Sequence, residues 1–206
     1  MNFILTPQPH SRSGSSGNRR ERPHAPLGGL RIPALALVLA FHLGATPPDA
    51  WGDPPNLMWG KVTQIYDGDT IAIKNDQGES VRVQLAYIDA PDKDHKTGAV
   101  QPLHNESKKT LSRLIMGKEV IIESFGTDKF GRIEGIVFLD KLNVNLDMVL
   151  KGMAEVYYPV RVNPERYKKE YVEKFLRAEK IAKKETLGVW GRPGYVSPYE
   201  FRRRNK

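Results

Sequence analysis

Three carboxylates stand out by their positions: Asp69, Asp89 and Asp92. The first belongs to a turn reading Asp67-Gly68-Asp69-Thr70, and the other two end an apolar segment, Ile88-Asp89-Ala90-Pro91-Asp92. The segments flanking them are β-like, so strands lying side by side would gather the acids at one place. Crowded carboxylates want a cation, and a flexible set of carboxylate, backbone carbonyl and water oxygens suits Ca²⁺. Far downstream, Thr127-Asp128-Lys129-Phe130-Gly131-Arg132 puts basic residues on a second turn, where they would face the acids. Phosphodiester hydrolysis needs both halves, an activated water and positive charge on the phosphoryl oxygens. A lone Asp-Gly is ordinary turn chemistry; it is the succession of motifs that points to a site.

Taken in order, these stretches resemble the thermonuclease (staphylococcal nuclease-like) family over residues 58–191. The resemblance implies a Ca²⁺-dependent phosphodiesterase of low sequence specificity, acting on DNA or RNA. It makes Asp69, Asp89 and the backbone carbonyl of Ala90 the metal ligands and Arg132 the arginine that neutralises the phosphate. Lys129 and Phe130 match a Lys-Tyr pair near the terminal phosphate, and Tyr158 matches a tyrosine lining the nucleotide pocket. Two positions depart from the family pattern. Asp92 stands where a water-orienting glutamate is expected, one bond shorter but with the same acceptors. Gln84, which is neutral, stands where the first of two arginines is expected. Arg82 shares a strand face with Gln84 and is the candidate substitute; Asp94 is a second candidate for the role of Asp92. The rival reading is a catalytically degenerate module that keeps the nucleic-acid-binding groove without useful turnover.

The elements that must position these groups follow from pattern. Met58–Tyr66, Thr70–Lys74 and Ser80–Ile88 read as a meander, and Lys118–Phe125 with Arg132–Leu139 as a second strand pair around the Gly126–Gly131 turn. Pro102–Met116 carries Leu103, Leu111, Leu114 and Ile115 at helical spacing. A second helix follows Asn145 as N-cap, with Leu146, Val149, Leu150 and Met153 on one face and an end near Gly152. The third starts from Asn163 and Pro164 and repeats Tyr167, Tyr171, Phe175, Ala178 and Ala182 on one side. The expected fold is mainly β with α: a five-stranded OB-type (oligonucleotide-binding) barrel with three packed helices. The domain is expected over 51–191, and the basic tail, 192–206, as a loosely held strap.

The chain has 206 residues and a formal net charge of +8, enough for one ordinary domain and favourable to a polyanionic partner. Five arginines against two acids fall in residues 1–50, so the remainder is still basic. With no cysteine, disulfides, thiolate metal sites and cysteine nucleophiles are excluded. The histidines lack metal-ligand spacing, and there is no glycine-rich phosphate loop. Residues 6–31 are too polar to fold and are expected to be disordered. The apolar run 32–45, preceded by arginines and followed by small residues, reads as a secretory signal. The mature protein is therefore expected to be secreted or periplasmic, a monomer without a stable protein partner. An uncleaved run would instead anchor it to a membrane.

Overall fold

The computed structural model describes residues 56–94 and 96–205; the expected leader, including the run 32–45, lies outside them. Five long strands make the frame: β1 (Asn56–Ile65), β2 (Thr70–Asn75), β3 (Ser80–Leu85), β5 (Glu119–Thr127) and β6 (Ile133–Leu139). Three two-residue strands accompany them: β4 (Ile88–Asp89), β7 (Leu142–Asn143) and β8 (Glu155–Val156). The frame runs β3-β2-β1-β5-β6, all antiparallel, and β6 then pairs with β3 in parallel register, Val83 opposite Ile133. That last pairing closes a five-stranded barrel, leaving no long edge exposed. Its interior is filled by Ile71, Ile73, Val83, Leu85, Ile122 and Ile136, all fully buried. β-branched residues at alternate positions supply this surface, as the sequence pattern requires.

The helices are α1 (His104–Ile115), α2 (Val144–Leu150), α3 (Tyr158–Val162), α4 (Lys169–Lys184) and α5 (Pro198–Arg204). α1, α2 and α4 are the three expected helices, and α3 and α5 are additional. α4 begins later than its sequence signal: Pro164 starts only a 3-10 turn, Pro164–Arg166, which ends where Tyr167 is extended (φ −123°). The Tyr167 ring is instead drawn against Tyr87, 5.4 Å between centroids. Among the described residues no helix is long and apolar enough to cross a membrane.

α2 is capped by Asn143, whose side chain accepts from Leu146 N at 2.9 Å, and not by Asn145. The latter is fully buried and ties the barrel shut. Its amide donates to Ala86 O (2.9 Å) and Gly135 O (3.1 Å) and accepts from Val137 N (3.0 Å). Asn145→Ala would leave Ala86 O and Val137 N without this partner, Gly135 O keeping the bond from Ala86 N (2.8 Å), and is expected to destabilise the fold by about 2 kcal/mol in chemical denaturation.

Two features aim the acidic turn. Gly68 packs so tightly on α1 that a Cβ there would lie 1.8 Å from Ser107 Oγ. Ser107 is itself fixed by donating to Met153 O at 2.7 Å. The Asp67 carboxylate accepts from Asp69 N (3.0 Å) and Thr70 N (2.7 Å), the side-chain turn expected of aspartate.

Candidate active site

The two acidic stretches meet. Asp69 and Asp89, 8% and 5% exposed, lie at one end of an open cleft of about 950 Å³ that also includes Asp92, Lys129 and Arg132. Asp69 Oδ2 accepts from Ala90 N at 2.8 Å, bonding the first acid to the neighbour of the second. Its Oδ1 lies 3.1 Å from the Thr70 hydroxyl, which is equally close to Gln84 Oε1. These partners are neutral, and burial holds the Asp69 carboxyl well above the usual range, with Asp67 and Asp89 adding to the effect. A buried carboxylate beside two others and without a cation of its own is an unfavourable arrangement that a bound cation would relieve.

Asp89 does have a cation. Arg202, on α5, grips it with both terminal nitrogens: Nη1 to Oδ1 at 2.9 Å and Nη2 to Oδ2 at 2.7 Å. Nη1 also reaches Asp92 Oδ2 at 3.2 Å. Burial raises the Asp89 pKa and Arg202 opposes that shift. The expected loose strap is thus a helix inserted at the site. It is capped by Ser197 Oγ, which accepts from Glu200 N at 3.1 Å.

The other expected residues are placed as follows. Arg132 lines the cleft, steered by Asp128, whose Oδ2 accepts from Nε at 2.8 Å and sits 2.8 Å from Nη2. Asp128 also caps the turn through Arg132 N and Phe130 N. Lys129 and Phe130 lie on the same rim, Phe130 72% exposed. Arg82 lines the same cleft, its guanidinium stacked on Tyr66, 4.3 Å from the ring centre, and it makes no ion pair with the acids. Asp94 caps its own turn by accepting from Lys96 N and Thr97 N. Tyr158 is stacked on Tyr199 at 4.2 Å, and its neighbour Tyr157 lines the cleft instead.

The residues that sequence reasoning missed are Arg202, Tyr199, Tyr157 and Gln101. Gln101 accepts from Asp92 N (2.7 Å) and donates to Val196 O (2.8 Å), tying the Asp92 loop to the segment before α5.

A family model described as staphylococcal nuclease homologue matches residues 82–192, more than half of the chain. The chain belongs to this family. An uncharacterized endonuclease of Haemophilus influenzae is 34% identical over 146 residues, covering 71% of this chain and 74% of that protein. A micrococcal nuclease of Shigella flexneri is 30% identical, covering 87% and 95%. The Protein ParB of Escherichia coli is 31% identical, covering 82% and 89%. This staphylococcal nuclease homologue is therefore a nuclease, a hydrolase of nucleic acid, and α5 lies beyond the family-matched segment.

Behind the site, Glu155 pairs with Asp89 across β4 and β8. Burial pushes its carboxyl up to about 8, Arg161 opposing and Asp89 adding to the rise. An acid that holds its proton more tightly when folded contributes stability that is full below its unfolded pKa and lost as pH rises through the folded one. The window therefore runs from the ordinary glutamate value of 4.5 to about 8. Glu155→Gln is expected to flatten the fall in unfolding free energy over that window, read from urea melts at several pH values.

Proposed function

We propose that this nuclease is Ca²⁺-dependent, hydrolyses DNA and RNA phosphodiesters with little sequence preference, and works outside the cytoplasm as a monomer. The observation that carries the reading is Asp69, a buried carboxylate beside Asp67 and Asp89 with only neutral hydrogen-bond partners. Among the described residues no three acidic or imidazole side chains cage an ion by themselves. The offered set is therefore Asp69, Asp89 and the Ala90 carbonyl, completed by water, an oxygen-only set that suits a hard cation. When bound, Ca²⁺ would polarise a phosphoryl oxygen and offset its charge.

The chain's own groups would do the rest. Asp92 orients the attacking water and takes its proton as the water oxygen bonds to phosphorus. The ester P–O bond breaks and the leaving oxygen takes a proton from solvent. Arg132 donates to the non-bridging oxygens as their charge grows. Lys129 neutralises a flanking phosphate, and Phe130 and Tyr157 offer ring faces to bases. Contacts to phosphates and ring faces carry little sequence information.

The purified protein is expected to degrade single-stranded DNA and RNA in Ca²⁺ and to stop on chelation; no cleavage above an Arg132→Ala control would overturn the reading. Export rests on the apolar run 32–45, and the mass of the mature N-terminus tests it.

A further inference from the structure

The segment before α5 is anchored independently of its arginine. Gln101 binds Val196 O, Pro198 is buried, and the Tyr199 ring lies nearly parallel to Tyr158, at 11°. These contacts set the helix so that Arg202, and not Arg203 or Arg204, meets Asp89 and Asp92. Of the five guanidinium N–H groups, three go to the two carboxylates, leaving Nε–H and one Nη2–H. The Asp89 oxygens each keep lone-pair capacity beyond the arginine, since a carboxylate has about four acceptor sites. Arg202 can therefore stay on Asp89 and still donate to a third anionic group in the cleft it lines.

The charge of the cleft supplies the need for that. On β3 the position beside Asp69 is Gln84, a neutral amide, and Arg82, which also lines the cleft, is stacked on Tyr66 and paired with none of the acids. Arg132 is a single guanidinium at one rim. Even with Ca²⁺ on Asp69 and Asp89, a phosphate drawn to the ion would lie against Asp92, and Arg202 is the guanidinium paired with the acids on that side. The arginine is positioned there by a carboxylate fork, just as Arg132 is positioned by Asp128. We infer that Arg202 is a second phosphate-binding guanidinium of this active site, delivered by α5 to the non-bridging oxygens of the scissile phosphate opposite Arg132. The inference rests on the nuclease reading above.

The test uses the full chain with Arg202→Ala, Arg202→Lys, and Arg202→Ala combined with Gln84→Arg. Turnover of single-stranded DNA in Ca²⁺ gives kcat and KM, and calorimetric titration with thymidine 5′-monophosphate, with and without Ca²⁺, gives affinity in the absence of turnover. Arg202→Ala is expected to lower kcat by about 10²–10³ and to weaken nucleotide binding at least tenfold. Arg202→Lys should recover part of the binding but little of the rate, because a point charge cannot reproduce the planar fork. The Gln84→Arg combination should recover kcat at least tenfold over Arg202→Ala alone, which a purely structural role for Arg202 would not allow. Equal or faster turnover by Arg202→Ala, or tighter Ca²⁺ binding with nucleotide affinity unchanged, would overturn the inference and make the arginine a removable cap on the acids. Absence of cleavage by the wild type would defeat the nuclease reading alone. The nucleotide titrations would still decide Arg202, for it if Arg202→Ala weakens binding and against it if affinity is unchanged.

Discussion

Arg132→Ala is expected to lower kcat on single-stranded DNA by about 10²–10³, the effect of deleting one charge-stabilising donor from a preorganised site. KM should change far less, because the charge that Arg132 answers grows only as the phosphorus–water bond forms. Stability should hardly move. The Asp128–Arg132 pair spans a surface turn, and pairs of that kind are worth about 0–1 kcal/mol. Asp128 is the sharper control. Burial works against its ionisation, but the hydrogen bonds from Arg132 and Phe130 prevail and leave its carboxyl below the ordinary range. Its contribution to stability is thus present above the unfolded aspartate pKa and fades as pH falls through the folded one. Asp128→Asn keeps the turn acceptor for Arg132 N and Phe130 N but loses the charge that draws in the guanidinium. A loss of about tenfold in kcat, small beside that of Arg132→Ala, would separate aim from charge. Parallel losses of kcat in Arg132→Lys and Arg132→Ala would indicate that the fork geometry, and not the charge alone, is what the reaction uses.

What could be read from sequence and what could not divides along local and distant causes. The barrel strands carry their own period-2 pattern and turn residues, so their placement followed from neighbours along the chain. The meeting of Asp69 with Ala90 followed in part: pairing of β2 with β3 brings Leu85 N to Asp69 O (2.7 Å), and the chain then turns at Tyr87 (φ 69°) into β4, whose own strand partner is β8. Arg202 lies 113 residues from Asp89, and nothing local distinguishes it from Arg203 or Arg204. The Gln101–Val196 bond, the Ser197 cap, buried Pro198 and the Tyr199–Tyr158 stack together select which arginine turns inward. The exchange of Tyr158 for Tyr157 has a similar origin. One residue of offset at the end of β8 sends a side chain to the other face, and two adjacent tyrosines offer no pattern to settle it. Asn163-Pro164 was a real helix-start signal, but the burial of Tyr167 against Tyr87 ended that helix after one turn. A tertiary contact here overrode a local preference.

Asp69→Asn is expected to abolish the response to Ca²⁺ and at the same time to stabilise the metal-free protein. Asp69 is an acid with a raised pKa in the fold, so whatever stability it contributes is full below the ordinary aspartate pKa and is lost as pH rises through its folded value. At neutral pH the wild type therefore carries the cost of burying a carboxyl whose folded pKa lies above its unfolded one. The asparagine avoids it and keeps the geometry. Its Oδ1 can accept from Ala90 N, and the Thr70 hydroxyl can accept from its amide while donating to Gln84 Oε1. Thermal melts with chelator at pH 7 should place the variant above the wild type, and the gap should close as pH is lowered toward the carboxylate range. Adding Ca²⁺ at about a hundred times its dissociation constant should stabilise the wild type by about 2.7 kcal/mol, or roughly 5–10 °C for a domain of this size. The variant should not move, and its cleavage should fall by about three orders of magnitude, equivalent to about 4 kcal/mol of lost transition-state stabilisation. A Ca²⁺-induced shift of equal size in both proteins would place the ion away from Asp69. A variant less stable than the wild type in chelator would mean that the buried acid is already compensated within the fold, and the case for a cation there would lose its physical cause. The pairing of gained stability with lost activity at one atom is the mark of an acid buried for function against its own folding interest.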